Sequence, residues 1–159
     1  MLKCDPILEV FGNAKTIKND NSSRFGKLIT LRLNGESMRI YHSSIKNYFL
    51  EKSRIISQSP GERNFHIFYQ FITFISEEQR TQFRLKSNTG HPYRADDFQY
   101  LTQKDKQTLP NDRGMWETLI QAFNSLNFSK EIINEIWSIV AAILLLGNLV
   151  FDSSSQSES

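Results

Sequence analysis

Cysteine is almost missing from this chain. Cys4 stands alone, so no internal disulfide can form and no thiolate metal site can assemble, which favours a reducing compartment. The glycines of a phosphate loop are missing too. None of the 7 glycines opens a G-x-x-x-x-G-K-S/T run, and the one Gly-Lys pair, Gly26-Lys27, has Asn21 where the first glycine should stand. No HExxH occurs, and His42, His66 and His91 are too scattered for a zinc motif. GxSxG is absent, which leaves a hydrolase nucleophile elbow without support. Charge of one sign is also lacking: 19 basic against 17 acidic residues gives +2, spread rather than blocked. That gives no electrostatic case for nucleic acid or for an anionic membrane surface. The strongest apolar run, residues 139–151, is broken by Gly147 and Asn148 and falls short of the roughly 20 residues a membrane span needs. MLKCDPILEV has no apolar stretch of the signal-peptide kind, so the reading is of a soluble, intracellular chain.

What is present suits one domain. The 159 residues are 39% hydrophobic and include 12 Phe, enough for a sizeable core. Asp5-Pro6 predicts a short helix with Asp5 as N-cap and Pro6 at the first helical position, ended by Gly12. KLITLRLN alternates as a strand with one wetter face, and Asn34-Gly35 is a strong hairpin signal. An antiparallel pair follows, residues 26–33 with 38–49. Asn64 to Ile75 carries aromatics at helical spacing, with Phe65, Phe68, Ile72 and Ile75 on one side. Here His66 reads as a satisfied core histidine. Residues 76–112 read as loops with short helices, and Glu77-Glu78 and Asp96-Asp97 as solvated charges. Gly114 to Leu126 is an amphipathic helix with Trp116, Leu119, Ile120 and Phe123 on one face. Ser129 caps a last helix without a capping box. Residues 152–159 form a polar, low-complexity tail expected to be disordered. The fold class is α/β: a mainly helical chain with a two-stranded antiparallel ribbon. Such a ribbon is marginal alone and calls for a larger sheet.

The polar stretch NDNSSRFGK, Asn19 to Lys27, precedes the first strand. Asn, Ser and Gly are what turns are made of, and from residue chemistry alone a solvated turn is the better-supported reading. The alternative is a nucleotide loop. Ser22 and Ser23 offer hydroxyls to Mg²⁺, a hard cation that prefers oxygen; Asn19 offers amide donors, and Arg24 a cation of fixed geometry.

Longer strings decide between them by resemblance. DPILEVFGNAKT (Asp5 to Thr16), Asn19 to Lys27, IKNYFLEKSR (Ile45 to Arg54), PGERNFHIFYQ (Pro60 to Gln70), LNFS (Leu126 to Ser129) and AAILLLGNLVF (Ala141 to Phe151) follow one another. In that order they resemble the myosin motor head, over nearly the whole of residues 5–151. NDNSSRFGK is similar to that family's switch I, which closes over the γ-phosphate of ATP. The resemblance implies that Ser23 places its hydroxyl on Mg²⁺ and that Ser22 and Asn19 contact the phosphates and the attacking water. It also implies that Asn13 and Lys15 approach the phosphate side, and that Arg24 forms a salt bridge with a glutamate of switch II.

The ribbon would then belong to the larger central sheet of a P-loop-type motor domain, its transducer strands, with the helices in the upper subdomain. Residues 1–151 would be a partial motor domain. The phosphate loop, switch II, relay helix, converter and lever arm are not in these residues, so the chain reads as an interior piece of a head. Its implied partners are the actin filament, through a complete head, and the remaining motor segments. The implied location is cytoplasmic and cytoskeleton-associated. A non-catalytic interaction module derived from such a head is the alternative. Three positions depart from the family's pattern: His42 and Asn127 replace Gly, and Leu145 replaces His.

Overall fold

The computed structural model describes residues 3–101 and 109–151. The polar tail expected at 152–159 lies outside the described residues. Helix α1 spans Asp5–Gly12, with Pro6 in its first turn. Cys4, not Asp5, holds the N-cap position and gives no side-chain cap. The Asp5 carboxylate instead accepts from Lys27 Nζ at 2.6 Å, tying the helix to the ribbon. Gly12 ends the helix as expected, and its missing side chain is structural: a Cβ there would lie 2.3 Å from the Phe25 ring.

Two small antiparallel sheets follow, where the sequence shows one ribbon. Strands β1 (Asn13–Ala14) and β2 (Ser22–Ser23) pair with Asn13 opposite Ser23. They are too short for period-2 alternation to reveal. Strands β3 (Phe25–Leu33) and β4 (Ile40–Leu50) form the expected ribbon, with register shifts at Gly26/Lys27 and Arg32/Leu33. Its turn differs from the two-residue Asn-Gly type. Asn34 Oδ1 accepts from the backbone N–H groups of Glu36 and Ser37, both at 3.0 Å, and Met38 rather than Gly35 adopts positive φ. The loop therefore runs from Asn34 to Arg39, and β4 starts two residues later than expected.

No wetter face can be told from a drier one on the ribbon. Leu28, Leu31, Ile40, Tyr41, Tyr48 and Phe49 are all exposed, Tyr48 by 73%. Among the described residues no third strand pairs with either edge.

The core is helical. From His66 to Ile72, helix α2 (His66–Phe74) is buried all round: Ile67, Tyr69 and Phe71 are as covered as Phe68 and Ile72 of the expected stripe. Helix α3 (Glu77–Gln82) opens on a Ser76/Gln79 capping box not recognised in the sequence. Helix α4 (Asp112–Ser125) and helix α5 (Lys130–Gly147) close around α2. Trp137 of α5 stacks on Trp116 at 5.2 Å between ring centroids and meets Phe71 at 5.5 Å and Phe123 at 5.7 Å. Each such ring contributes on the order of 1.5–3 kcal/mol by burial. Ser129 caps α5 by accepting from the Ile132 N–H, as expected. Asn127 sits at φ 56°, a conformation Asn tolerates better than most other side chains, so no glycine is required there.

One polar cluster lies inside this core. Arg63 Nη1 donates to Asp112 Oδ2 at 3.1 Å, with both residues 2% exposed. Gln70 and the Leu109 N–H also donate to the Asp112 carboxylate. That is why α4 begins at Asp112 and not at Gly114. The Arg63 guanidinium lies 4.0 Å over the Tyr69 ring. Beside it the buried His66 ring is pushed from 6.5 to about 4, first by burial and then by the Arg63 charge, which Asp112 and Asp20 oppose only in part.

Two outcomes follow from this fold. In hydrogen exchange on the monomeric chain, amides of β3 and β4 beyond Lys27 should exchange much faster than those of α5, because among the described residues that part of the ribbon has open edges and exposed faces. Equal protection would contradict that. His66 is neutral when folded and protonates more readily when unfolded, so its stabilising contribution is complete above pH 6.5 and fades as the pH falls towards 4. Chemical denaturation at pH 7 and pH 5 should show about 2 kcal/mol of stability lost through this residue. A loss just as large in His66→Phe would refute the assignment.

Candidate functional site

Residues 13–24 form a short hairpin-like loop that returns on itself. Its closure comes from the backbone. The Thr16 N–H donates to the Asn19 carbonyl at 2.8 Å, and the Asn19 N–H to Thr16 Oγ1 at 3.2 Å. Beyond the turn, Asn19 Oδ1 accepts from the Asn21 N–H at 2.8 Å, an Asx turn of the kind the composition suggests. The Arg24 N–H then donates to the Gly12 carbonyl at 2.8 Å, bringing the end of the loop back to its start. Asn13, Asn19, Ser22, Ser23 and Arg24 are thereby gathered on one small element.

Their side chains are held to different degrees. Asn13 is buried; its Nδ2 donates to Asn21 Oδ1 at 3.0 Å, while its own Oδ1 has no partner among the described residues. Lys15 donates from Nζ to the Gly61 carbonyl at 2.8 Å, in the turn that precedes α2. The exposed Ser23 donates its single proton to the Phe25 carbonyl at 3.1 Å. A hydroxyl so placed keeps its oxygen lone pairs for a cation, which is the requirement of a hard-metal ligand. Among the described residues no group of three or more His, Cys, Asp or Glu could hold a metal ion. Ser23 therefore fits Mg²⁺ only as one ligand beside oxygens from elsewhere, such as phosphate and water.

Arg24 has its partner within the chain. Its Nε donates to Glu51 Oε2 at 2.5 Å, and its Nη1 to Ser22 Oγ at 3.4 Å. Glu51 is shared: the buried Arg54 donates to the same oxygen at 3.0 Å and pairs with Glu62 at 2.9 Å. Burial alone would raise the Glu51 carboxyl, but the hydrogen bonds and charges of Arg24 and Arg54 outweigh it and hold the group below its ordinary range. The same carboxylates outweigh burial at Arg54 and strengthen its hold on the proton. Arg24, Glu51, Arg54 and Glu62 thus form a chain of alternating charges. It runs from the loop across the end of β4 to the turn before α2.

Three residues of this arrangement escape a reading of the loop string alone. Glu51 and Arg54 lie in LEKSR, where their i,i+3 spacing is a usable signal. His66 is the third. It is only half satisfied: Nε2 meets Asn21 Oδ1 at 3.1 Å, whereas the buried Nδ1 has no partner among the described residues. Sequence spacing gives no hint of a contact that spans 45 residues. Glu77, expected as a solvated charge, remains exposed but pairs with Lys86 at 3.1 Å. Asp97 accepts from the Arg94 N–H at 2.7 Å and so organises a short turn.

The apolar concavity between α1 and the ribbon, lined by Leu8, Phe11, Phe25 and Tyr48, includes none of the loop's polar residues. Among the described residues no helix is long and apolar enough to cross a membrane.

Comparison with known proteins bears on the whole chain. The family described as "Myosin head (motor domain)" matches residues 1–159. The chain is 42% identical to unconventional myosin-Ic-A of Xenopus laevis, over 100% of its own length and 15% of that protein's. It is 42% identical to myosin-1 of Saccharomyces cerevisiae, covering 96% of the chain and 8% of the relative. For the myosin IE heavy chain of Dictyostelium discoideum the figures are 38% identity, 98% of the chain and 15% of the relative. The chain thus spans about a seventh or less of the length of these relatives. Matched along its full length by the family and at about 40% identity by its members, this chain belongs to the myosin head (motor domain) family.

Proposed function

We propose that this chain is the switch-I-bearing part of an actin-based motor that binds and hydrolyses ATP, working with segments it does not itself contain. The supporting observation is the way β1 pairs with β2, which sets Ser23 opposite Asn13 and Ser22 opposite Ala14 on a loop closed at Asn19 and Arg24. Phosphoryl transfer is chiefly a matter of positioning and charge stabilisation, and a loop that orders around the terminal phosphate supplies both. In this reading Ser23 gives one oxygen to Mg²⁺, and Ser22 and Asn19 orient phosphate oxygens and the attacking water. Asn13 and Lys15 line the phosphate side. Lys15 must first leave the Gly61 carbonyl, an exchange of one hydrogen bond for a charge-assisted one. Arg24 would likewise pass from Glu51 to a switch II glutamate, keeping a carboxylate partner in both states.

The exposed apolar ribbon fits the same reading. Its open edges and uncovered faces suit pairing with strands of a larger P-loop-type sheet, and the aromatic helices suit the upper subdomain beside the actin cleft. Cytoplasmic, cytoskeleton-associated work on actin filaments is the corresponding setting.

Alone, the chain should show no ATP turnover above background in a steady-state assay, because phosphate contacts come from several elements acting together. Turnover abolished by Arg24→Ala would overturn that. In a complete head carrying this segment, Ser23→Ala should weaken the coupling of nucleotide binding to loop closure. Arg24→Glu should still bind ATP but slow hydrolysis by about a hundredfold or more, since it sets like charges together in a water-poor site. Reversing the charge on the switch II partner should restore part of the rate. Single-turnover hydrolysis tests this: a double mutant no faster than the worse single mutant would remove the salt-bridge role from Arg24.

A further inference from the structure

Asn21 carries no role in the proposed nucleotide site, yet its side chain is gripped from two sides. Its amide oxygen accepts from Asn13 Nδ2 at 3.0 Å and meets His66 Nε2 at 3.1 Å, which uses both lone pairs. An amide oxygen cannot donate, so the imidazole must carry its proton on Nε2. Nδ1 is then a bare lone pair, buried and without a partner among the described residues. A half-satisfied imidazole that is 0% exposed is a poor choice if the position only needs filling. An aromatic hydrocarbon would pack there without the lost hydration. What the ring does contribute is a donor aimed out of α2 at the loop.

We propose that His66 is the positioning residue for the Asn19–Ser23 loop. It clamps Asn21 against Asn13, so that the loop and the first turn of α2 move as one body. The surroundings favour the clamp. Burial and the adjacent Arg63 charge keep the ring neutral at physiological pH, and the Asn21 amide oxygen holds its one proton on Nε2. The groups around it are few: Arg63 from the segment before α2, Asp112 from α4 and Asp20 from the loop itself. The isolated bridge between Ala14 and Phe65 lies beside the clamp and locks the same two segments through their backbones. A displacement of α2 within its helical core would therefore be felt at Asn21 and, through the β1–β2 pairing, at Ser22 and Ser23. The clamp stands on geometry alone; its bearing on ATP rests on the nucleotide reading above.

The test uses the full 159-residue chain. Hydrogen exchange should be compared across His66→Phe, which keeps the bulk and loses the donor, and His66→Gln, which supplies an amide donor. His66→Phe should speed exchange at Asn21 to Ser23 by about threefold to tenfold, the equivalent of one hydrogen bond, with α5 unchanged. His66→Gln should bring most of that protection back. Asn21→Ala, a change on the exposed loop that spares the core, should loosen the same amides. It should also shift the imidazole nitrogen resonances of His66 away from the pure Nε2–H pattern. Loop exchange and a ring tautomer both unchanged in Asn21→Ala would overturn the proposal, as would loop exchange unchanged in His66→Phe. In a complete head, slower ATP-driven loop closure in His66→Phe, rescued in His66→Gln, would extend the clamp to the nucleotide cycle. A loosened loop with normal nucleotide kinetics would support the clamp and refute the nucleotide reading.

Discussion

The buried pair of Arg63 and Asp112 is the interaction on which the arrangement around the loop depends. The two residues are 49 positions apart and almost wholly out of water. Removing either would strand the other as an uncompensated buried charge, at a cost of about 3–5 kcal/mol. With Arg63 so anchored, the segment leading into α2 cannot slide. Its backbone is then used on every side. The Arg63 N–H donates to the Lys15 carbonyl, and its carbonyl accepts from Arg54 at 3.1 Å. Asn64 reaches from Nδ2 to the carbonyls of Ile55 and Tyr100 at 3.0 and 3.1 Å. Loop, ribbon end and helical core therefore share one fixed reference.

Much of this was legible in the sequence because it rests on local rules. Proline in a first turn, Ser129 before an apolar run and aromatics at helical spacing each report a preference that the fold obeys. Even there, boundaries moved where a long-range partner intervened. Asp5 left its expected capping role for Lys27, and Asp112 drew the start of α4 back by two residues. The Asn-Gly pair gave way to a longer loop because Asn34 could satisfy two backbone donors with its side chain, leaving the strained φ to Met38.

The loop is a harder case. Its residue types say that it can bind oxygen-rich ligands, and equally that it can be a turn. Nothing in nine consecutive residues separates those readings. What the local string leaves out is long-range: Lys15 against Gly61, Arg24 against Glu51, Asn21 against His66. Resemblance of longer strings supplied the family, and physical spacing could not have done so.

These contacts hold the backbone of the loop and leave two of its side chains loosely held. Asn13 and Ala14 are buried and paired, and His66 holds Asn21 from the buried part of α2. The side chains of Ser23 and Asn19, by contrast, are exposed and each makes a single hydrogen bond. A hydrogen bond of that kind is worth about 1 kcal/mol net, so the Ser23 hydroxyl can exchange its carbonyl partner for a ligand's oxygen at little cost. The buried Asn13 and the clamped Asn21 cannot let go so cheaply. Arg24 lies between the two regimes, with a partly exposed guanidinium on a carboxylate that Arg54 already holds. Because Glu51 keeps one cation when Arg24 leaves, the departure strands no buried charge. An ion pair that can open without that penalty, beside a backbone held from the helical core, lets a side chain change partner without unfolding its support.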